Sequence, residues 1–242
     1  VDENGILIEK MPANIRTAAY INPNNQFPTG AVIPIGNRYK LLDWALKNDS
    51  FIIEDDYDSE FRYTGKPIPS MQGLDTESHV IYLGAFSSTL FSSVKIMVLP
   101  QQLAQIFFTI KDNYTQTCSK AEQLTLAIFM ERGLYQINIK KLRTLYAQKL
   151  QKLLAAIDKY GSDIVVPLNT ASGINITFRL STGKSAETIT AAAAEFGVPV
   201  KPIETKDTAA GKSDSTYILY YNQIPLDEIE PCIKSIIETW RH

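Results

Sequence analysis

Apolar residues along the chain recur at two periods, and the changes between them mark out its elements. Arg16 to Ile21 (R-T-A-A-Y-I) reads as a short strand, and Asn22 to Gly30, dense in asparagine, proline and glycine, reads as a loop. From about Gly36 to Asn48 the spacing lengthens to that of a helix, with Leu41, Leu42, Ala45 and Leu46 as its inner face. Phe51 to Glu54, Val80 to Leu83 and Lys95 to Leu99 are short apolar runs that predict strands, the last closed by Pro100. Strand, helix, strand, loop, strand in this order points to a parallel sheet covered by helices. In such sheets chemistry lies beyond the carboxyl ends of the strands, where Glu54 to Glu60 and Gly84 to Phe91 fall.

A long helix is predicted from Leu134 to about Tyr160. Leu142, Tyr146, Leu150, Leu153 and Ile157 form its buried stripe, and its lysines form a solvated face. Beyond it come a strand at Ile174 to Leu180, a helix at Ser185 to Phe196 and a strand at Tyr217 to Tyr221. The final helix carries Leu226, Ile229, Ile233, Ile236 and Trp240 on one stripe. Two strands and two helices with no link back to the first sheet predict a second, smaller α+β domain, with the division near Gln136: 1–135 and 136–242. There is no internal repeat and no low-complexity tract.

The totals narrow the function classes. An apolar share of 45% in 242 residues supports a folded core and excludes disorder. With 24 basic against 26 acidic residues the chain lacks the basic surplus of a surface that grips phosphate backbones, so any DNA contact belongs to another part of a protein. Cys118 and Cys232 are far apart, and His79 and His242 are the only histidines, so neither a disulfide framework nor a metal cluster is indicated. No apolar run reaches the roughly 18 to 20 residues of a membrane helix, which makes a cytoplasmic protein the expectation. The chain opens at Val1 rather than methionine, so the expectation is a domain whose first part is missing.

Three segments are candidates for chemistry, and each is weak alone. Glu54-Asp55-Asp56-Tyr57-Asp58-Ser59-Glu60 admits a Mg²⁺ site, a carboxylate placed opposite a protonated ring nitrogen, or a solvated loop, and the residues alone favour the loop. The magnesium reading is weakened because no P-loop holds a phosphate. Asn22 to Gly30 is the second segment. Gly84-Ala85-Phe86-Ser87-Ser88-Thr89-Leu90, a run of small hydroxyl residues after a strand, is either an anion-binding loop or a turn.

Taken together and in order they are specific. N-Q-F-P-T-G, then I-I-E-D-D-Y-D-S-E-F-R-Y with P-I-P-S-M-Q-G-L-D, then V-I-Y-L-G-A-F-S-S-T-L-F resembles the effector domain of MocR-type regulators of the GntR superfamily. The resemblance is strong from about Arg16 to Pro100 and looser through Gln123-Leu124-Thr125-Leu126 to the C-terminus. It implies a three-layer α/β fold of fold type I, mostly parallel, followed by a small α+β domain. It also implies an N-terminal winged-helix DNA-binding domain absent from this chain, a homodimer, a small-molecule effector (an amino acid or a PLP-like compound) and pyridoxal 5'-phosphate (PLP) as the family cofactor. Asp55 would then pair with the pyridine nitrogen and Tyr57 with the ring hydroxyl.

Four positions depart from the family pattern. Ser88 stands where a lysine forms the Schiff base, beside Ser87, and a serine has no amine to form an aldimine or move a proton. Ala85 replaces a phosphate-binding threonine, Lys95 replaces an arginine fork, and Gln223 stands where an arginine binds the substrate carboxylate. The expectation is therefore a sensing and dimerisation domain with PLP binding weakened or lost, around Asp55, Tyr57, Ser87, Ser88 and Lys95. The alternative is an aminotransferase whose lysine was replaced at position 88.

Overall fold

The computed structural model describes residues 2, 4–90, 94–115, 118–203 and 214–242, so Val1 and Phe91, named above, lie outside it. The chain divides into two units. The first comprises Val1–Phe27, Ala31–Glu60 and Lys66–Lys140, the second Pro28–Gly30, Phe61–Gly65 and Lys141–His242.

The first unit is built on β1 (Ala18–Ile21), α1 (Ile35–Lys47), β2 (Phe51–Asp56), α2 (Met71–Leu74), β3 (Val80–Ala85) and β4 (Lys95–Val98). The strands lie in the order β1-β2-β3-β4. The first three are parallel, with Ile21 opposite Glu54 and Asp55 opposite Leu83, while β4 runs antiparallel, with Ala85 opposite Lys95. The sheet is thus mostly parallel, as expected, with one reversed edge strand. Only nine residues lie between β3 and β4, too few for the crossover of a dozen or more that a parallel return requires.

Period two assigns the faces. Ala19, Ile21, Ile52 and Val80 form a core with Leu41, Trp44 and Ala45 of α1 and with Ile33 and Met71. Tyr20, Asp55, Leu83, Ala85, Met97 and Lys95 have the other parity. The inner face of α1 differs from the expected one: Leu46 is 49% exposed, and Arg38 and Trp44 are buried in its place. Trp44 reaches a carbonyl partner, its indole donating to Pro12 O at 2.9 Å. Met71 is also fully buried, Tyr63 packs on the core of the second unit, and Phe27 is 55% exposed.

Arg38 is wholly buried and bound on every arm. Its Nε donates to Ile33 O at 3.0 Å, Nη1 to Pro69 O at 2.7 Å, and Nη2 to Pro23 O and Asn24 Oδ1 at 2.9 and 2.8 Å. Glu54, also buried, accepts from the backbone N–H groups of Met71 and Gln72 at 2.8 and 2.9 Å, and so caps α2. Two further helices, α3 (Gln101–Ile110) and α4 (Lys120–Glu131), follow the sheet. The second opens on a capping box between Ser119 and Glu122.

The long helix α5 (Leu134–Gly161) enters the second unit, which adds β5 (Val165–Asn169), β6 (Asn175–Ser181), α6 (Ala186–Glu195), β7 (Val200–Ile203), β8 (Asp214–Tyr220) and α7 (Ile229–Arg241). Its sheet is antiparallel with four strands in the order β5-β6-β8-β7, two more than expected. Each edge strand contains a proline, Pro167 in β5 and Pro202 in β7. The core is aromatic at its centre, with Phe178 stacked between Tyr217 and Trp240 at centroid distances of 5.7 and 5.5 Å. The basic face of α5 is not wholly solvated: Lys149 is buried and donates to Asn222 O at 2.7 Å, and burial holds its pKa below the usual lysine value. At Gly30, where φ is +72°, an added Cβ would lie 2.2 Å from Asn169 Nδ2.

The buried guanidinium generates a test. Arg38→Met keeps the apolar stem but removes the guanidinium from Ile33 O, Pro69 O, Pro23 O and Asn24 Oδ1, so urea unfolding should show a loss of about 3 kcal/mol. An unchanged midpoint would mean that water replaces the guanidinium at no cost.

Candidate functional site

The carboxyl ends of β1, β2 and β3 bring together residues from three separate stretches of chain. Asp55, near the end of β2, receives the hydroxyl of Tyr20, from the same face of β1, on its Oδ2. Asn22 adds a hydrogen bond from Nδ2 to the Asp55 carbonyl at 3.2 Å. The bond to Asp55, assisted by burial and by the charge of the same carboxylate, pushes the Tyr20 hydroxyl up to about 12, so it remains a donor at neutral pH. Tyr20 was not among the residues singled out from the sequence. The available signal was its place in a period-two strand, opposite in parity to Ala19 and Ile21 and next to the loop.

Asp55 borders two recesses. One, of about 270 Å³, is lined by Tyr20, Asp55, Leu83, Ala85, Lys95 and Met97 among others. The other, of about 310 Å³, is lined by Tyr20, Asn22, Gln26, Phe27, Asp55 and Tyr57. Asp55 therefore meets Lys95 in the first and Tyr57 in the second. Ser87 and Ser88 line neither. They sit in a turn closed by Thr89 N and Leu90 N donating to Phe86 O at 3.1 and 2.8 Å, with Ser87 exposed. Ser88 Oγ donates to Tyr57 O at 3.1 Å, and the Tyr57 hydroxyl donates to Asn25 O at 2.8 Å. Gln223 is an exposed residue of the second unit.

The acidic run is not a solvated loop. Glu54 and Asp58 are buried, and the residues between them are partly so. Asp58 accepts from the Asn25 amide. Asp56 accepts from Tyr82 Oη at 2.9 Å and Ser59 Oγ at 2.8 Å. Glu60 accepts from Tyr135 Oη at 2.9 Å. Period two explains Glu54, which follows Ile52 to the covered face, and the turn after β2 carries Asp58 inward. Burial drives the Asp58 carboxyl up to about 7 and, with neighbouring carboxylates, outweighs the Asn25 bond; burial also raises Glu54 and Glu60. Among the described residues no group of three or more His, Cys, Asp or Glu is arranged to hold a metal ion.

No family model matches the chain. It is 40% identical over 205 residues to the uncharacterized HTH-type transcriptional regulator YdeL of Bacillus subtilis (strain 168), covering 84% of this chain and 44% of that protein. It is 32% identical over 205 residues to the probable rhizopine catabolism regulatory protein MocR of Rhizobium meliloti, covering 84% of this chain and 42% of that one. The chain belongs to the aminotransferase-like domains of MocR-type regulators. It spans less than half the length of these curated relatives. Among solved structures, the kynurenine aminotransferase of Pyrococcus horikoshii, determined in complex with PMP, matches with a TM-score of 0.77 and 26% identity over 92% of this chain and 55% of that one. The fold is therefore that of fold-type I aminotransferases, a family that uses PLP.

The residues present do not fit a PLP held as an aldimine. The amine is missing at Ser88, whose hydroxyl is bound to the Tyr57 carbonyl, and Ala85 carries no hydroxyl for a phosphate. The Tyr57 hydroxyl donates to Asn25 O, and one oxygen of the Asp55 carboxylate, Oδ2, accepts from Tyr20.

The buried Asp58 sets a pH dependence. Its folded pKa lies above the unfolded value of about 3.9, so its contribution to stability is greatest below about pH 4 and is lost as pH rises through about 7. Asp58→Asn keeps an acceptor for Asn25 while removing the charge. It should flatten this decline and raise stability above pH 8 by a few kcal/mol, measured as urea midpoints from pH 4 to 9. A variant with an unaltered profile would show that Asp58 is solvated.

Proposed function

We propose that this chain is the effector-sensing and dimerisation domain of a MocR-type transcriptional regulator, and that it forms no internal aldimine with PLP. Ser88, at the Schiff-base position, is the observation that carries the proposal. The chemistry is lost at the one atom that transamination needs, while the sheet, the loop and Asp55 remain. The changes at Ala85 and Lys95 support a site that has drifted away from catalysis, since a single replacement aimed at the reaction would leave the phosphate contacts intact.

DNA contact is assigned to a winged-helix domain in the longer protein, in keeping with the near balance of charge in this chain. Two copies related by a twofold axis would carry two such heads, and a small molecule bound near Asp55 would change their disposition by favouring one arrangement of the pair. The relatives' names as transcriptional regulators support a cytoplasmic location. No helix among the described residues is long and apolar enough to cross a membrane.

A second reading, an aminotransferase with its lysine replaced, draws on the likeness to the kynurenine aminotransferase and on the retained Asp55 and Tyr57. Restoring the amine separates the two. Ser88→Lys, mixed with PLP and reduced with borohydride, should show no stoichiometric pyridoxyl adduct at position 88 by peptide mass, and the unaltered chain none between Gly84 and Lys95. A full adduct on Ser88→Lys would establish the aminotransferase reading, and one on Lys95 would show that this lysine has taken over the role. In sedimentation at micromolar concentration the chain should run as a dimer, and a strict monomer would reject the dimerisation half of the proposal.

A further inference from the structure

Arg62 belongs to the second unit and sits on a stretch of backbone that is held on both sides. It pairs with Ser172 in an antiparallel bridge, flanked by Gly173 N donating to Phe61 O at 2.9 Å and Tyr63 N donating to Ala171 O at 3.0 Å. Phe61 is wholly buried, and the Tyr63 hydroxyl donates to Gly173 O at 2.8 Å, so both neighbours of Arg62 are pinned. The Arg62 side chain itself makes no hydrogen bond and no ion pair among the described residues. Its Nε is sealed from solvent without a partner, while Nη1 and Nη2 keep contact with solvent. The chain then turns through Thr64 and Gly65, both exposed and neither hydrogen-bonded among the described residues. Gly65 has a φ of +77°, and a Cβ there would lie 3.0 Å from Arg62 Nη2 and 3.7 Å from Nε.

We propose that the tip of the Arg62 guanidinium and the Thr64–Gly65 turn form a binding site for a small oxyanion, phosphate or carboxylate. The site is separate from both recesses beside Asp55, whose linings include neither Arg62, Thr64 nor Gly65. Its origin is electrostatic. A cation whose Nε–H has lost water and found no acceptor carries an uncompensated desolvation penalty. Arg38 offsets that penalty with four oxygen acceptors, and Arg62 has none. An anion on the open nitrogens supplies the missing compensation through charge-assisted hydrogen bonds, strengthened by the low dielectric on the sealed side. The guanidinium is planar, so Nη1 and Nη2 present paired N–H donors that match two oxygens of a phosphate or a carboxylate. Gly65 leaves that edge uncovered where a side chain would crowd it. The turn adds donors of its own, the Thr64 hydroxyl and the unbonded N–H groups of Thr64 and Gly65. A cation is repelled here, and a neutral acceptor leaves the charge unbalanced.

The test follows the ¹⁵Nε–¹H resonance of Arg62 in chain labelled on arginine, identified by its loss in Arg62→Lys. At constant ionic strength, inorganic phosphate or acetate replacing chloride should move it along a saturable curve with a Kd of about 5 mM or less. Phosphate binding the more tightly assigns a phosphate group to the site; acetate binding as tightly or more so assigns a carboxylate. Linkage gives a second reading: the tighter anion at about 50 mM should raise the urea midpoint of the unaltered chain. Arg62→Gln should abolish most of that gain while leaving the midpoint in chloride unchanged, since Arg62 has no protein partner to lose. Gly65→Ala, whose Cβ would press on Nη2, should weaken binding by about tenfold or more. No saturation by either anion up to about 50 mM, the same movement in chloride alone, or a stabilisation that survives Arg62→Gln would overturn the assignment. The titration of the unaltered chain decides the question even where Arg62→Gln does not fold.

Discussion

A charge shut away from water must be solvated by the protein itself, and in the first unit that requirement falls on Arg38. Its guanidinium has no water to turn to, so Ile33, Pro23, Asn24 and Pro69 must hold their oxygens against it. Those oxygens belong to the asparagine- and proline-rich loop after β1, to the entry of α1 and to the stretch before α2. One side chain thus fixes the loop whose Asn22 and Asn25 reach Asp55 and Tyr57, and the segment whose N–H groups receive Glu54. The negative charge of Glu54 is favoured by Arg38 in turn, although burial prevails and lifts its pKa. The candidate site stands on this buried scaffold and not on the mobility of a loop.

Much of this was legible from spacing. Period two located β1, β2, β3, β6 and β8 to within a few residues, and the stripe on α7 is buried from Ile229 to Trp240. The unread strands share a cause: β5 and β7 are short and interrupted by Pro167 and Pro202, and proline argues against a strand unless that strand is an edge, a place sequence alone does not reveal. At α4 the signal was present but unused, since Ser119 and Glu122 have the spacing of a capping box. In α3 no residue is buried, so its apolar positions have no single inward face to follow.

The site was legible in a different way. Asp55, Tyr57, Ser88 and Lys95 were located by motif, which fixes positions in the chain but not neighbours in space. That Asp55 meets Lys95 in one recess and Tyr57 in another depends on sheet order and on the reversal of β4. The burial of Asp58 depends on a turn whose path hydropathy does not encode, so a run of acids looked like a solvated loop. Tyr20 was hidden by its ordinariness, as an aromatic residue in a strand.

The prolines at the two rims of the second sheet bear on how the protein behaves when crowded. A strand lacking an N–H at one position offers a broken ladder to an approaching strand, so β5 and β7 make poor templates for lateral growth. The rims of the first sheet, Ala18–Ile21 and Lys95–Val98, contain no proline, and β4 bears Ile96, Met97 and Val98 exposed at 47%, 47% and 39%. Where chains of this kind coalesce during refolding at high concentration, seeding is expected to begin at β4, and the second unit to be carried along without contributing strands to the aggregate.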